Sequence, residues 1–282
     1  MPGVDLVSDD GLPVREAGAW TNEKLDYVKR YAGAFVTAMR GKWPSLAYID
    51  LLCGPGRCAI REQSKRHILG SPLLALNIKP PFDAFHFSDS SDAFIDALRQ
   101  RLPVERASAT SLRVGDCNAI VTEVVQTLPR GTLALAFLDP EGFEVHFKTL
   151  AMLATRPIDI LYLFPSGIGI KRNVKQFLQS SPDTMDRFWG GPDWRDCLAK
   201  RAPAGSGESA DEATARSWVE AFARKLRSDL GLFCQEIAPL ITNDRNARMY
   251  HLLFLSKHNT GLKLWEKVTK IDPHGQRRLP WG

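Results

Sequence analysis

Residues 46–57 join the sequence pattern of a buried strand directly to a glycine-rich turn. The strand pattern is an almost continuous apolar run that only Asp50 interrupts: Tyr48, Ile49, Leu51 and Leu52. Such a run is typical of a strand in a parallel sheet that helices cover on both faces. The residues that follow allow a sharp turn and the close approach of a ligand to main-chain amides: Cys53, Gly54, Pro55 and Gly56. The stretch predicts an α/β fold around a ligand-binding turn; the alternative is a strand, turn and helix without a ligand.

The order of residues in this turn separates classes of nucleotide-binding site. The phosphate-binding pattern G-x-x-x-x-G-K-[ST] and the dinucleotide pattern G-x-G-x-x-G are both absent from it. Residues 50–56, D-L-L-C-G-P-G, instead resemble the first motif of class I S-adenosylmethionine (SAM) methyltransferases, [DE]-x-x-x-G-x-G. The resemblance implies that Asp50 holds the turn and the ammonium group of the cofactor. It also implies that Gly54 and Gly56, with Cys53 beside them, receive the methionine end of SAM.

Length and composition describe a globular chain with a sizeable core. The 282 residues suffice for one large α/β domain with an insertion, or for two modest domains, and 44% of them are hydrophobic. No apolar run is long enough to span a bilayer, and residues 1–18 lack the pattern of an export signal. Five scattered cysteines without a second pair at ligand spacing fit reduced thiols rather than a zinc site. We therefore expect a cytoplasmic protein with no membrane anchor and no metal.

Further apolar runs alternate with helical patterns along the chain. Strands are predicted near residues 84–88, 112–118, 132–138 and 159–164, and a closing pair near residues 233–240 and 250–256. Strands separated by helices at this pitch favour a parallel sheet with right-handed crossovers. With the resemblance above, the prediction is a Rossmann-like class I methyltransferase fold with a mostly parallel seven-stranded sheet and helices on both faces. A helical insertion is predicted after the fifth strand.

The same pattern divides the chain into four parts. Residues 1–45 are predicted to form a loose N-terminal arm and a helix, and residues 46–165 the SAM-binding core. Residues 166–232 are predicted to be a helical insertion or lid. Residues 233–282 supply the closing strands, a C-terminal helix and a tail.

Acidic residues follow the second and third predicted strands. An acid at the tip of the second strand of a doubly wound sheet can bind the ribose hydroxyls of a nucleoside, which nominates Asp89 with Ser90 beside it. In proteins with the resemblance above, a polar residue after the third strand commonly reaches the adenine amine, which nominates Asp116 with Cys117 adjacent. The alternative for each acid is to cap a helix, because a helix begins directly after each of them.

A further motif, Asp139-Pro140-Glu141-Gly142-Phe143, follows the most apolar strand. It resembles the [DNS]-P-P-[FYW] motif of amino-methyltransferases, although Glu141 replaces the second proline and the aromatic residue falls one position late. By this resemblance Asp139 and Pro140 face the amine that accepts the methyl group, and Phe143 stacks on its base. Methyl transfer from a sulfonium depends chiefly on alignment of the reacting groups. The alternative is a turn in which Asp139 only caps main-chain groups.

The net positive charge favours the binding of polyanions. Lysine and arginine number 37 against 32 acidic residues, a net charge of +5. Basic residues Lys171, Arg172 and Lys175 share the predicted insertion with Trp189, and phosphate contacts combined with aromatic stacking are a common way to bind single strands. These four residues are the predicted substrate contacts, with RNA or DNA as the partner. Solvated helix faces and a local aromatic core explain the same pattern.

Several segments together resemble the three-Cys-motif partner proteins, a bacterial methyltransferase-like family named for a neighbouring protein with a three-cysteine motif. These segments are residues 48–56, 70–72, 137–143, 250–257 and 261–265. The resemblance implies a partner protein of that kind. The function predicted is SAM-dependent methylation of an amino group of a nucleic-acid base, with S-adenosylhomocysteine (SAH) as product. The alternatives are a catalytically weak SAM-binding subunit and a methyltransferase for a small molecule or protein.

Overall fold

A central sheet of seven strands in one path organises the computed structural model, which describes residues 7–61, 67–166, 182–199, 210–235, 240–242 and 248–271. In the order in which they lie, the strands are β6 (Thr110–Val114), β5 (Ala84–Asp89), β2 (Ser45–Asp50), β7 (Thr132–Leu138), β8 (Ile158–Phe164), β11 (Arg248–Ser256) and β10 (Leu240–Thr242). The first five run parallel, and β11 is antiparallel to β8 and β10. A short strand β9 (Phe233–Cys234) pairs with β11 beside this path. The predicted α/β class and mostly parallel seven-stranded sheet are confirmed.

The strand order reverses at the first core strand. The chain passes from β2 to β5 and β6 on one side and then crosses to β7 and β8 on the other. In open α/β sheets, the carboxyl ends on either side of such a reversal form the crevice that receives ligands. The ends of β2, β5 and β7 therefore mark where a site is expected.

Helices cover both faces of this sheet, as continuous apolar strands require. One face carries α5 (Cys117–Thr127), α6 (Phe147–Leu153), α7 (Pro182–Trp189), α8 (Trp194–Ala199) and α9 (Ala210–Leu230). The other carries α1 (Trp20–Met39), α2 (Ser71–Leu76), α3 (Asp92–Arg101) and α10 (Asn259–Thr269), and the short α4 (Val104–Ala107) leads into β6. All seven residues of β7 are buried, alternating between the two cores.

A second sheet of three strands lies beside the glycine turn. It contains β1 (Arg15–Ala17), β3 (Arg57–Ile60) and β4 (His67–Leu69), and β1 runs parallel to β3 with Arg15 opposite Cys58. Ion pairs from Arg57 to Asp9 and from Arg101 to Asp10 fix the preceding residues. The prediction of a loose arm is therefore wrong for residues 7–19, because strand pairing and ion pairs hold them.

The helices after β8 confirm a helical segment at that position among the described residues. Phe188, Trp218 and Phe222 from α7 and α9 pack in the same core as Phe164 of β8. The domain boundaries themselves stay a prediction. No helix in the described part of the chain is long and apolar enough to cross a membrane.

Gly261, in the first turn of α10, closes the packing on the face opposite α9. A Cβ at this position would lie 2.9 Å from Ser256 Oγ, 3.0 Å from Asp159 Oδ2 and 3.1 Å from Phe254 Cζ. The hydroxyl of Tyr31 donates a hydrogen bond to the same Asp159 oxygen at 2.9 Å. The absence of a side chain at residue 261 lets α10 approach this buried polar group.

We expect Gly261→Ala to lower the free energy of unfolding by about 1–3 kcal/mol, because overpacking of a tight core has this cost. Urea unfolding monitored by circular dichroism measures the change. Gly33→Ala in α1 is the matched control, since an added Cβ there meets nothing within 4 Å. The control should leave stability unchanged or raise it by up to about 1 kcal/mol through helix propensity. Equal stability of the two variants would contradict this packing argument.

Candidate functional site

The turn after β2 depends on its two glycines. Gly54 has φ +62° and Gly56 has φ +89°, a left-handed conformation that other residues adopt only with strain. A Cβ on Gly56 would also lie 3.1 Å from both Leu73 Cγ and Leu98 Cδ1. The backbone conformation and the packing together require glycine here.

Hydrogen bonds join this turn to the ends of the two neighbouring strands. The N–H of Cys53 donates to Ser88 O at 3.0 Å, and the N–H of Gly54 donates to Asp89 Oδ2 at 2.9 Å. Beyond β6, the N–H of Gly115 donates to Asp89 O at 2.9 Å. The structure therefore brings together the three strand ends that the sequence nominates for one nucleoside cofactor.

The predicted ribose ligand already has two partners. Asp89 is buried, and its Oδ1 accepts from the N–H of Ser91 at 3.0 Å while its Oδ2 accepts from Gly54. The following helix is capped by the Ser91 hydroxyl and not by Asp89. Ser90 is exposed next to it. Asp89 thus shapes the turn, and its contact with a ribose stays a prediction.

The residues proposed for the adenine end include a helix cap. Asp116 is exposed and accepts from the N–H of Asn118 at 2.9 Å at the start of α5. Cys117 is buried in the core, as is Cys53 in the glycine turn, and burial raises the pKa of both thiols. Of the two, Cys53 lines the cavity at the glycine turn, and a contact of either with a cofactor stays a prediction.

Asp50 is fully buried at the end of β2. Its Oδ1 accepts from the N–H of Leu52 at 3.3 Å, whereas its Oδ2 has no hydrogen-bond partner among the described residues. Burial raises the pKa of this carboxyl to about 7, and the Ser71 hydroxyl and the Leu52 N–H partly oppose the shift. Asp50 is thus a buried carboxyl beneath the glycine turn, and its contact with the ammonium group of a cofactor stays a prediction.

A cavity of 390 Å³ opens between the glycine turn, the N-terminal segment and the end of β7. Its lining includes Arg15, Trp20, Lys24, Arg57, Asp139 and Tyr250. The Lys24 Nζ lies 2.6 Å from Asp139 Oδ2, and the two side chains are 8% and 21% exposed. Charged groups of both signs therefore meet at the crevice.

The Asp139 motif lies at this cavity, but not all of it faces the cavity. Asp139, Pro140 and Glu141 line the space, next to the glycine turn. Phe143 is buried, with its ring centroid 4.7 Å from that of Phe188 in an edge-to-face contact. The carboxylate of Glu144 accepts from the N–H groups of Glu141 and Gly142 and closes a turn before it. The prediction that Phe143 stacks on a base is corrected, because this ring belongs to the core.

Of the four predicted substrate contacts in the insertion, Trp189 lies among the described residues. Trp189 is 1% exposed, donates from Nε1 to Asp193 at 3.1 Å and packs edge to face on Trp218. This corrects its assignment as a substrate contact in favour of the alternative, a local aromatic core. Lys171, Arg172 and Lys175 lie outside the described residues.

Sequence reasoning missed two cations of the cavity, Arg15 and Lys24. Lys24 lies four residues before Val28 on the apolar face of α1, so a charge on a buried stripe was the available signal. Arg15 lies in a three-residue strand within a segment without periodicity. Nothing in the local sequence marks it.

The strand order and the reversal of β11 define the class of fold, a Rossmann-like methyltransferase fold, as predicted. A similar solved structure is that of protein LPL1258 from Legionella pneumophila str. Philadelphia 1, described with the family model DUF519. It has a TM-score of 0.50 and 12% identity, over 87% of this chain and 91% of that chain.

Two further similar structures are named as methyltransferases. One is an O-methyltransferase from Bacillus cereus in complex with SAH, with a TM-score of 0.47 and 10% identity, over 88% of this chain and 86% of that one. The other is magnesium protoporphyrin IX methyltransferase from Synechocystis PCC 6803 with bound SAH, with a TM-score of 0.39 and 13% identity, over 90% of each chain. No family model matches this chain, and no curated protein matches it. The resemblance to three-Cys-motif partner proteins therefore stays a prediction.

The buried carboxyl of Asp50 predicts a pH-dependent stability. The pKa of this carboxyl is raised to about 7 in the folded state. Its protonated form therefore adds to the free energy of unfolding fully below about pH 4, and this contribution is lost as the pH rises to 7. Between pH 5 and pH 8 the free energy of unfolding should fall by about 2–3 kcal/mol more in the wild type than in Asp50→Asn. Urea unfolding at both pH values measures this difference. Asp96→Asn, on an exposed helix face, is the control that should follow the wild type.

Proposed function

We propose that this protein is a SAM-dependent methyltransferase that acts on an amino group of a nucleic-acid base and releases SAH. The observation that carries the proposal is the connection of three strand ends through Asp89, directly beside a cavity that Asp139 lines. A nucleoside cofactor and an acceptor need adjacent sites of this kind, because methyl transfer depends on their alignment.

The residues that would hold the cofactor are those of the crevice. Asp50 would bind the ammonium group, the main chain at Gly54 and Gly56 would approach the methionine end, and Asp89 and Asp116 would lie towards the ribose and adenine. SAM would supply a methyl group already bonded to a good leaving group, the sulfonium sulfur. The protein therefore has to position the acceptor and exclude water.

Asp139 is the residue we assign to the acceptor. Its Oδ2 is held by Lys24, and the other carboxylate oxygen would accept a hydrogen bond from the acceptor amine and orient the nitrogen lone pair. The same carboxylate would receive the proton that the nitrogen loses once the new N–C bond has formed. Lys24 is the positioning residue in this scheme, because it fixes the rotamer of Asp139.

The aromatic residues at the proposed acceptor site are not the one that the Asp139 motif suggested. Trp20 and Tyr250 line the cavity, whereas Phe143 and Trp189 belong to the core. We assign base stacking to Trp20, which is half-buried at the start of α1. The net charge of +5 supports a nucleic-acid acceptor, and a partner with a three-cysteine motif remains part of the proposal.

One observation favours a second candidate, a catalytically weak SAM-binding subunit. Glu141 occupies the position of the second proline, and Asp139 is engaged by Lys24. A small molecule or a protein as acceptor is the remaining alternative, for which the volume of the cavity is large enough. Cofactor binding followed by assay of the methylated product separates these candidates.

Asp139→Asn should lower methyl transfer from radiolabelled SAM to total nucleic acid by about 100-fold, because one preorganised electrostatic contact is lost. Its dissociation constant for SAH by calorimetry should stay within about threefold of the wild type, since the proposed cofactor residues Asp50, Gly54, Gly56 and Asp89 are unchanged. Asp96→Asn is the control for both measurements. A wild type that binds neither SAM nor SAH overturns the proposal. Binding without transfer to any acceptor favours the weak subunit.

Filter binding at several salt concentrations tests the acceptor class. A nucleic-acid acceptor predicts retention of RNA or DNA whose affinity falls steeply with salt, because phosphate contacts release counterions. Trp20→Ala should weaken binding of single strands by about 1–3 kcal/mol through lost stacking. No retention, or an affinity independent of salt, would exclude this class and leave a small-molecule or protein acceptor.

A further inference from the structure

The side chain of Arg15 lies directly over the glycine turn. A Cβ on Gly54 would be in ordinary van der Waals contact with Arg15, 3.7 Å from its Cδ and 3.9 Å from its Nη1, so the side chain packs against the turn. Pairing of β1 with β3, with Arg15 opposite Cys58, fixes the backbone that carries the side chain. The guanidinium is thus a built part of the crevice, although it comes from the N-terminal segment.

Three carboxylates surround this guanidinium. Burial alone would lower the pKa of Arg15, but Asp139, Glu141 and Asp89 outweigh this and raise it. Asp89 belongs to the end of β5, and Asp139 and Glu141 follow the end of β7. Arg15 thus lines the same cavity as Gly54, Asp139 and Glu141, with Glu141 as its ion-pair partner at 2.6 Å.

The amino-acid end of the proposed cofactor carries two opposite charges. Asp50 is assigned to the ammonium group of the cofactor. The carboxylate at the same end of the cofactor then needs a cation as its partner. Among the described residues, four cations line the cavity: Arg15, Lys24, Arg57 and Arg61. Carboxylates are bound most specifically by arginine, which offers two parallel N–H donors.

The present partners of these cations differ in exposure. Lys24 is bound by Asp139 in a pair whose side chains are 8% and 21% exposed. Arg57 is held by Asp9 and Ser8 of the N-terminal segment, and Arg61 by Glu16.

Arg15 is distinguished from Arg57 and Arg61 by its contact with Gly54 and by one exposed ion-pair partner among the described residues. Its partner is Glu141 at 2.6 Å, and that carboxylate is 79% exposed. An ion pair with so exposed a partner contributes little to stability, so Arg15 can exchange it at low cost.

Arg57 pairs with an equally exposed carboxylate, Asp9 at 78%, but Ser8 and Asp10 hold it as well, and the Arg61–Glu16 pair is about half exposed on both sides. Breaking the Lys24–Asp139 pair would leave two less exposed charges without a partner, and this would cost more free energy.

We propose that Arg15 binds the α-carboxylate of the amino-acid end of SAM and SAH, and that this carboxylate replaces Glu141 as its partner. The inference rests on the proposed function, because it names a ligand contact within the same site. It makes the three-stranded sheet part of the cofactor site. It also assigns to Glu141 the role of a competitor for Arg15 when no cofactor is bound.

Calorimetry with two ligands tests the contact. SAH carries the carboxylate, whereas decarboxylated SAH, S-adenosyl-3-thiopropylamine, lacks only that group. The wild type should bind SAH about 10- to 100-fold more tightly, the range expected for a charge-assisted hydrogen bond. Arg15→Met should lose this preference, with an affinity for the decarboxylated ligand within about threefold of the wild type.

Two further variants act as controls. Arg61→Met removes a cation that lines the same cavity, and it should keep the full preference for SAH. Glu141→Gln removes the competing carboxylate from an exposed position, so it should bind SAH about two- to threefold more tightly with no change for the decarboxylated ligand. This second measurement decides the question even if Arg15→Met does not fold, which thermal unfolding will show.

The outcomes separate this inference from the proposed function. A wild type that binds neither ligand overturns both. A wild type that prefers SAH while Arg15→Met keeps that preference overturns the role of Arg15 alone. If a folded Arg15→Met loses affinity equally for both ligands, the role of Arg15 is also overturned. A packing defect, and not a carboxylate contact, would then explain the weaker binding.

Discussion

The hydrogen bond from the Gly54 N–H to the Asp89 carboxylate is the interaction on which the site depends. It joins the turn after β2 to the end of β5, and the main-chain oxygen of Asp89 joins that end to Gly115 beyond β6. A buried carboxylate that accepts main-chain N–H groups is a strong, directional contact. Because one residue fixes three strand ends, the crevice is formed before any ligand arrives, and less ordering has to accompany binding.

The fold could be predicted because its strands are buried on both faces. Strands β2, β7 and β8 are largely apolar and buried runs of six or seven residues, and the glycine turn follows the first of them. The small sheet could not be predicted in this way. Strands β1 and β4 have three residues each, too few for a period, and they form only because β3 offers a partner. Tertiary pairing, not local pattern, brings Arg15 to the site.

The side chains of the site were harder to predict than its backbone. The sharp turn at Gly54 and Gly56 could be predicted from its small residues, and both have a left-handed φ. Asp50 was nominated by the resemblance to class I methyltransferases, and its role stays a prediction. Phe143 and Trp189 were assigned to a ligand because aromatic side chains stack on bases, but the same rings fill cores. Sequence alone does not say which face of a turn or helix becomes the core when two elements meet, and both rings pack between α7 and its neighbours.

The two ion pairs at the cavity restrain their carboxylates to different degrees. Asp139 is paired with Lys24, and neither side chain has much access to water, so its orientation is fixed before an acceptor arrives. Glu141 extends into solvent and holds Arg15 weakly. Replacement of the second proline of the amino-methyltransferase motif by this glutamate thus removes a rigid carbonyl but adds an exchangeable anion. Arg15 and Lys24 cannot replace that carbonyl, because both groups only donate hydrogen bonds; what they do is hold Glu141 and Asp139 in place at the cavity.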